Sequence, residues 1–248
     1  MRRTYKMLRR IKVICIRFFD VITTPKFREN FDLIPLSNSQ AGQESFALLS
    51  SKSCAQKFYL EIGAGDPIKN SNTFLLESSL KWHGLSIDNN EKHRERFVKL
   101  RSNPLLVADA TGLDFLKILG KYNFPQIIAY LQIDLYHAKD SFKVLSLLPF
   151  EKYIFCAITY EHDLHNKENL YYAELARKLL FSRGYKLLCK NVKHDNLVFE
   201  DWWVHPKYSY DKLLDSFHSE NRNGLAHFSR KSQFSALKEL LVTVRYSL

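Results

Sequence analysis

The sequence lacks several patterns that would assign it to a familiar class. Its four cysteines are widely spaced and form no C-x-x-C pair, which excludes a zinc knuckle or a redox motif and predicts reduced thiols in a reducing compartment. No apolar run approaches the roughly 20 residues of a membrane span. Arg17 and Asp20 interrupt the apolar stretch near the start, so a signal peptide is not expected either. We therefore expect a cytoplasmic protein.

The positive charge of the chain is concentrated at its beginning. The formal net charge is +11, and a large share of it comes from the basic residues of the first 22 positions, which are Arg2, Arg3, Lys6, Arg9, Arg10, Lys12 and Arg17. Apolar residues recur between them at helical spacing, at Ile11, Ile14, Cys15, Phe18, Phe19 and Ile22. This pattern predicts an amphipathic helix that either packs on its own domain or contacts an anionic membrane surface from the cytoplasmic side.

The rest of the chain is predicted to form one domain. With 248 residues, 46% of them hydrophobic, the protein can bury a sizeable core. A polar segment at 35–43 is typical of a linker. We therefore expect a basic arm with its linker at 1–38 and a domain at 39–248, which ends in a basic helix that begins at about residue 232.

Short apolar runs alternate with longer helical patterns in this domain. Strands are predicted at 57–62, 84–88, 104–108, 127–134 and 152–161. Helices are predicted at 72–82, 90–101, 112–121, 138–148 and 167–182. Strands separated by helices of this length form a parallel sheet that is covered on both faces.

The last part of the domain has a different pattern. A strand predicted at 184–190 is followed, after a few polar residues, by a second apolar run at 197–204. So short a connection requires an antiparallel hairpin. The predicted fold class is therefore α/β, with a mostly parallel sheet that ends in an antiparallel hairpin. This is the Rossmann-like architecture of class I methyltransferases, although other doubly wound folds also carry antiparallel edges.

Acidic residues and glycines lie where the first four predicted strands end. Ligands of an open parallel sheet bind outside the carboxyl ends of its strands, and glycines there allow the backbone to approach a ligand closely. The candidate cofactor-binding residues are therefore Glu61, Gly63, Ala64, Gly65, Asp88, Asn89, Asp109, Ala110 and Asp134.

S-adenosylmethionine is the cofactor that fits these residues. The glycine turn would admit its methionine and ribose portions, and Glu61 would lie near its cationic end. Asp88 would accept hydrogen bonds from both ribose hydroxyls. Asp109 would accept one from the exocyclic amine of adenine. Hydrogen bonds to an ionised acceptor are the stronger kind.

A nicotinamide dinucleotide is the alternative ligand. An acidic residue about 20 positions beyond the glycines would also suit its ribose. Pro67 follows the turn, however, and no G-x-G-x-x-G motif is completed. The pyrophosphate would therefore lack its helix N-terminus.

Several sequence blocks, taken in order, identify a family that this chain resembles. The blocks are SQAGQE at 39–44, YLEIGA at 59–64, SNT at 71–73, LE at 76–77, WHG at 82–84, YLQID at 130–134, ITYEHD at 158–163 and FEDWWV at 199–204. Over about residues 39–205 the chain resembles the FkbM-type methyltransferases. The resemblance implies a class I fold and O-methylation of a hydroxyl in a glycan, lipid-linked sugar or secondary metabolite. The chain departs from the family pattern after Asp134, where Leu135, Tyr136 and His137 follow.

Methyl transfer to a hydroxyl requires that the acceptor oxygen be positioned and its proton removed. In one route a magnesium or manganese ion, held by Asp134, Glu161 and His162, lowers the pKa of the acceptor hydroxyl. Sugar O-methyltransferases of the macrocin type are similar in placing acidic ligands at these two strand ends. In the other route His162 or His137 acts directly as the general base. The candidate catalytic residues are therefore Asp134, Glu161, His162 and His137.

Other features leave alternatives open. Trp202 and Trp203 are adjacent in the final strand, so one indole should point into the core and the other outward, where it could contact the acceptor. The basic balance allows a methyltransferase for nucleic acid, although the charge does not interleave with aromatic residues as in RNA-binding modules. A protein methyltransferase and a catalytically silent adapter with the same fold are further alternatives.

Overall fold

The structure is a computed structural model that describes residues 38–51, 53–164, 166–194 and 197–208. The amphipathic helix predicted in residues 1–22 and the helix predicted from about residue 232 lie outside the described residues. Within them, no helix is both long enough and apolar enough to cross a membrane.

Strands and helices alternate along the described chain. The strands are β1 (Phe58–Ile62), β2 (His83–Asp88), β3 (Leu105–Val107), β4 (Ile127–Ile133), β5 (Ile154–Glu161), β6 (Lys186–His194) and β7 (Leu197–Val204). The α-helices are α1 (Gln43–Ser50), α2 (Phe74–Ser78), α3 (Arg94–Leu100), α4 (Phe115–Lys121), α5 (Ala138–Leu147) and α6 (Leu170–Ser182). Short 3-10 turns span Glu91–His93, Ala110–Gly112 and Lys167–Asn169.

The strands form one seven-stranded sheet in the order β3-β2-β1-β4-β5-β7-β6. The first five strands are parallel, whereas β7 is antiparallel to both β5 and β6. A parallel sheet in this order, with one antiparallel strand inserted next to the edge, has the Rossmann-like class I methyltransferase topology. The predicted fold class is confirmed for the described part of the chain.

Each face of the sheet carries its own core, because alternate residues of a strand point to opposite faces. Leu60 and Ile62 of β1 pack into one cluster together with residues of α4, α5 and α6. Tyr59, the residue before Leu60, points to the opposite face and packs into a second cluster that includes Phe46 of α1. Helices therefore cover both faces, as the alternating pattern predicts.

The two tryptophans of β7 correct one prediction. Trp202 is 3% exposed and Trp203 is fully buried, so neither indole points outward. Trp202 stacks on Phe46 with ring centroids 4.7 Å apart, and Trp203 meets Phe181 edge-on at 5.0 Å. Because both faces of β7 are covered, alternation sends the two side chains into two cores, and neither is placed to contact an acceptor from the surface.

Some helices differ from their predicted extents. The helix predicted at 72–82 is only α2 (Phe74–Ser78). The Ser71 hydroxyl accepts a hydrogen bond from the Phe74 amide, and Lys81 takes a positive φ of 58° where the chain turns into β2. The helix α1 was not predicted, because the polar residues at its start are typical of a linker.

Candidate active site

A cavity of about 630 Å³ lies at the carboxyl ends of the central parallel strands. Its walls come from the segments that follow β1, β2, β3 and β4, which is where ligands of this type of sheet bind. The lining residues are Gly63, Gly65, Ile87, Asp88, Asn89, Asn90, His93, Ala108, Asp109, Ala110, Thr111, Asp134, Leu135, Tyr136, His137 and Asp140. Most residues predicted for the cofactor are among them.

The glycine turn after β1 forms one wall of the cavity. Gly63 has a φ of +84° and lies against the backbone after β4, where an added Cβ would be 1.7 Å from the Asp134 carbonyl oxygen. Gly65 has a φ of +60°, but a Cβ there would meet nothing within 4 Å. Gly63 thus permits close packing of β1 on β4, whereas Gly65 leaves open space. Ala64, between them, is buried and does not line the cavity.

Asp88 connects the glycine turn to the segment after β2. Its Oδ2 accepts a hydrogen bond from the Gly65 amide at 2.7 Å, and its Oδ1 accepts one from the Asn90 amide at 2.7 Å. Each carboxylate oxygen has two lone pairs. Both oxygens of Asp88 can therefore accept a further hydrogen bond from a ligand hydroxyl in the cavity.

The segment after β3 supplies Asp109 and Ala110. Asp109 caps the 3-10 turn Ala110–Gly112, because its Oδ1 accepts a hydrogen bond from the Thr111 amide at 2.9 Å. That hydrogen bond lowers the pKa of Asp109 below its ordinary value, so the side chain is an ionised acceptor at neutral pH. Ala110 is 5% exposed and forms an apolar part of the wall beside it.

Glu61 lies away from the cavity, contrary to its predicted place beside a ligand. The side chain is 1% exposed and accepts a hydrogen bond from the Ser86 hydroxyl at 2.6 Å. It does not line the cavity. Burial raises the pKa of Glu61 above its ordinary value. Because Glu61 and Tyr59 share one face of β1, the carboxyl group lies under α2 with the other buried polar groups of that face.

Asp134 and Glu161 form a carboxyl pair at the ends of β4 and β5. Ile133 pairs with Tyr160 in the parallel register. Asp134 and Glu161, the next residue of each segment, therefore lie side by side. The two side chains are hydrogen-bonded to each other. A carboxylate only accepts hydrogen bonds, so this contact requires one shared proton. Burial, reinforced by nearby carboxylates such as Asp163, raises the pKa of both groups.

His162 faces the interior of the protein. Its side chain is fully buried, with Nε2 3.2 Å from Asp201 Oδ1. The same aspartate pairs with Arg177, whose Nε is 2.7 Å from Oδ2. Although burial opposes it, the nearby His162 ring and the Arg177 charge hold the pKa of Asp201 at about 2. His162 is therefore a structural partner of β7 in this arrangement.

The metal site predicted from the sequence is not assembled. No three His, Cys, Asp or Glu side chains within the described ranges are grouped so that they could hold a metal ion. Asp134 and Glu161 contact each other, but His162 is directed to Asp201. Of the two histidines predicted as bases, only His137 lines the cavity, at the start of α5.

Several lining residues were missed at the sequence level. Asn90 caps the 3-10 turn after β2, and its side-chain amide lies 3.2 Å from the ring of His93. Tyr136 is 92% exposed and meets the ring of His137 edge-on at 4.8 Å. Their only sequence signal is proximity to a strand end, which many surface residues share. The exposure of an aromatic ring at the cavity rim becomes visible only in the fold.

No family model matches the sequence, and no curated protein matches it. The fold is similar to that of the Dnmt2 methyltransferase of S. pombe, with a TM-score of 0.44 and 15% identity over 70% of this chain and 57% of that chain. Cofactor-bound Rv0187 from MTB is similar with a TM-score of 0.48 and 11% identity, over 77% of this chain and 95% of that chain. A SAM-dependent methyltransferase from Archaeoglobus fulgidus is similar with a TM-score of 0.41 and 16% identity, over 77% of this chain and 88% of that chain.

These similarities concern the fold alone. The chain spans little more than half the length of the S. pombe protein, and every identity is far below the level at which activity can be transferred.

Proposed function

We propose that this chain is an S-adenosylmethionine-dependent O-methyltransferase of the FkbM type that acts on a hydroxyl of a glycan, lipid-linked sugar or secondary metabolite. One observation carries the proposal. In a sheet with the class I order, residues from four separate strand ends, among them Gly65, Asp88, Asp109 and Asp134, line one cavity. Residues far apart in sequence thus meet where the fold binds its ligands.

The residues present fit S-adenosylmethionine. The volume of about 630 Å³ is typical of a cofactor site. Asp88 retains lone pairs for two ribose hydroxyls, and Asp109 is an ionised acceptor suited to the adenine amine. Four acidic side chains line the wall, Asp88, Asp109, Asp134 and Asp140, and they suit the positive charge of the ligand. The cofactor supplies an activated methyl group, and the protein has to hold the acceptor in line with it.

The Asp134 and Glu161 pair is our proposed acceptor for the hydroxyl proton. The pair shares one proton, so one negative charge remains on the two carboxyl groups. A second proton, that of the acceptor hydroxyl, can therefore bind to the pair. Asp134 reaches the cavity wall, and its pKa is raised to about 6 by burial, which suits a general base near neutral pH. His137 on the same wall is the second candidate for this role.

The proposed FkbM assignment is supported by the placement of the matching blocks. YLEIGA at 59–64 and YLQID at 130–134 contain β1 and β4 residues and run into the cavity wall at Gly63 and Asp134. ITYEHD at 158–163 supplies Glu161. A glycan or secondary-metabolite hydroxyl as acceptor is supported by the resemblance alone.

The proposed cofactor is tested by calorimetric titration of the purified protein with S-adenosylmethionine, with NAD as a second ligand. We expect micromolar binding of S-adenosylmethionine and none of NAD. Asp88→Ala should abolish the binding, because it removes the acceptor for both ribose hydroxyls. Asp114→Ala is the matched control, since Asp114 is exposed, also accepts a hydrogen bond from a backbone amide, that of Lys117, and does not line the cavity. No binding by the wild type would refute the proposal.

We further propose that the protein is cytoplasmic and that its basic arm contacts anionic membrane surfaces. The proposal is supported by the cations and the apolar stripe of residues 1–22. Sedimentation of the full chain with vesicles that contain phosphatidylserine, compared with purely neutral vesicles, tests it. Replacing Arg9 and Arg10 by Glu should release the protein. Equal sedimentation with both vesicle types would contradict the proposal.

A further inference from the structure

Arg101, directly after α3, is the centre of a buried polar network. Its side chain is 1% exposed, and all five of its N–H donors are used. The acceptors are Glu77 Oε2 for Nε at 2.7 Å, the Pro67 carbonyl and Ser71 Oγ for Nη1 at 3.0 and 3.4 Å, and Tyr59 OH and Thr73 Oγ1 for Nη2 at 2.9 and 2.8 Å.

Three of these five acceptors belong to one loop. Residues 66–73 connect the glycine turn to α2, and Pro67, Ser71 and Thr73 all lie in it. The loop begins immediately after Gly65, whose amide donates to Asp88. Two side chains therefore hold this part of the chain. Asp88 bonds to the glycine turn, and Arg101 bonds to the loop that follows it.

The network also reaches the end of β1. Thr73 is hydrogen-bonded through its hydroxyl to the Glu61 carboxyl group, which is also bonded to Ser86. Since the same hydroxyl accepts from Arg101, it donates its own proton to Glu61. A continuous chain of hydrogen bonds thus runs from Arg101 to a residue two positions before Gly63.

The other two acceptors of Arg101, Glu77 and Tyr59, lie outside this loop. Glu77 accepts hydrogen bonds from the Asn103 amide at 3.0 Å and from the Tyr59 hydroxyl at 2.7 Å. These join α2, β1 and the start of the segment before β3. They stabilise the fold around Arg101 without touching the loop that follows Gly65.

We propose that Arg101 is a positioning residue for the cofactor cavity. Arg101 acts through loop 66–73 to hold Gly65 within hydrogen-bond distance of Asp88. The inference rests on the proposed function, because the cavity is taken to bind S-adenosylmethionine. A guanidinium with every donor satisfied has one orientation, so it fixes the loop more tightly than a lysine in the same place would. The loop is thereby ordered before the ligand enters, and the ligand does not have to order it.

Two substitutions separate positioning from plain stabilisation. Thr73→Val and Tyr59→Phe each remove one hydroxyl acceptor of the same nitrogen, Nη2 of Arg101, the first on the loop side and the second on the strand side. We expect both to lower the melting temperature by a similar amount. Thr73→Val should weaken S-adenosylmethionine binding about tenfold, whereas Tyr59→Phe should change the dissociation constant less than about twofold. Thr73→Ser, which keeps the hydroxyl, should restore the wild-type affinity.

The outcomes are distinguishable by calorimetry well below the melting temperatures. If Thr73→Val and Tyr59→Phe change the affinity equally, or if neither changes it, the network only stabilises the fold and the inference is wrong. If Thr73→Ser binds as weakly as Thr73→Val, the hydroxyl is not the group that matters and the inference is also wrong. A wild-type protein that does not bind S-adenosylmethionine would instead refute the proposed function.

Discussion

Gly63 and Gly65 are two positions apart, yet the structure predicts very different results when each is changed to alanine. At Gly63 the added Cβ would lie 1.7 Å from the Asp134 carbonyl oxygen and 2.7 Å from its carbonyl carbon. Both are backbone atoms held in the β1–β4 pairing, so they cannot move aside as a flexible side chain would. The φ of +84° adds about 1 to 2 kcal/mol of strain for any residue with a Cβ.

The cost at Gly63 should therefore exceed about 4 kcal/mol, at the upper end for a single substitution. At Gly65 only the strain of its positive φ applies, because the Cβ would meet nothing within 4 Å. Gly65→Ala should thus cost about 1 to 2 kcal/mol, and its methyl group would enter the ligand cavity. We expect Gly63→Ala to unfold or precipitate. Gly65→Ala should fold and bind S-adenosylmethionine more weakly.

Urea unfolding of both variants measures the difference in the free energy of unfolding, and calorimetry measures ligand binding by Gly65→Ala. Equal free energies for the two variants would refute the reasoning, since they would show that β1 and β4 are not in contact at Gly63 as described.

Two further predictions concern buried charges. Burial raises the pKa of Glu200 from an ordinary value of 4.5 to about 8, so between these pH values the folded protein holds a proton that the unfolded chain releases, and stability falls as the pH rises. Glu200→Gln still accepts the Trp202 indole hydrogen bond. It should remove this fall and raise the free energy of unfolding at pH 8 by at least about 2 kcal/mol. Urea unfolding at pH 5 and pH 8 tests this, and an equal change in the free energy of unfolding for wild type and variant between the two pH values would contradict it. Arg177→Met leaves the buried Asp201 carboxylate without its cation and should lower the free energy of unfolding by about 3 to 5 kcal/mol. Arg183→Met breaks an exposed pair and should lower it by less than about 1 kcal/mol. Similar melting temperatures for the two variants would show that the Arg177 pair is not buried as described.

The fold could be predicted from local patterns because its strands are short apolar runs separated by amphipathic helices. Burial on both faces of a parallel sheet imposes such runs on β1, β4 and β5. The short connection before Leu197 likewise leaves only an antiparallel partner for β7. Helix ends were less predictable. Where α2 begins depends on the Ser71 hydroxyl, which accepts from the Phe74 amide, and the turn after α2 depends on the left-handed Lys81.

Part of the candidate site also follows from the sequence. Asp88, Asp109 and Asp134 stand at strand ends, and parallel topology brings the ends of neighbouring strands to one edge. Glu61 was misplaced because the sequence shows that a residue ends a strand, but not which face covers it. His162 was misplaced for a related reason, since its partner Asp201 comes from β7 and Arg177, which pairs with that aspartate, comes from α6.

The strands and the acidic residues near their ends can be read from local patterns, because they follow from the spacing of apolar residues along one segment. What each side chain faces depends on how the segments pack together. The shared proton of Asp134 and Glu161, the five bonds of Arg101 and the inward turn of His162 all depend on contacts between segments distant in sequence. Such contacts are selected by packing of the whole domain, and no local pattern encodes them.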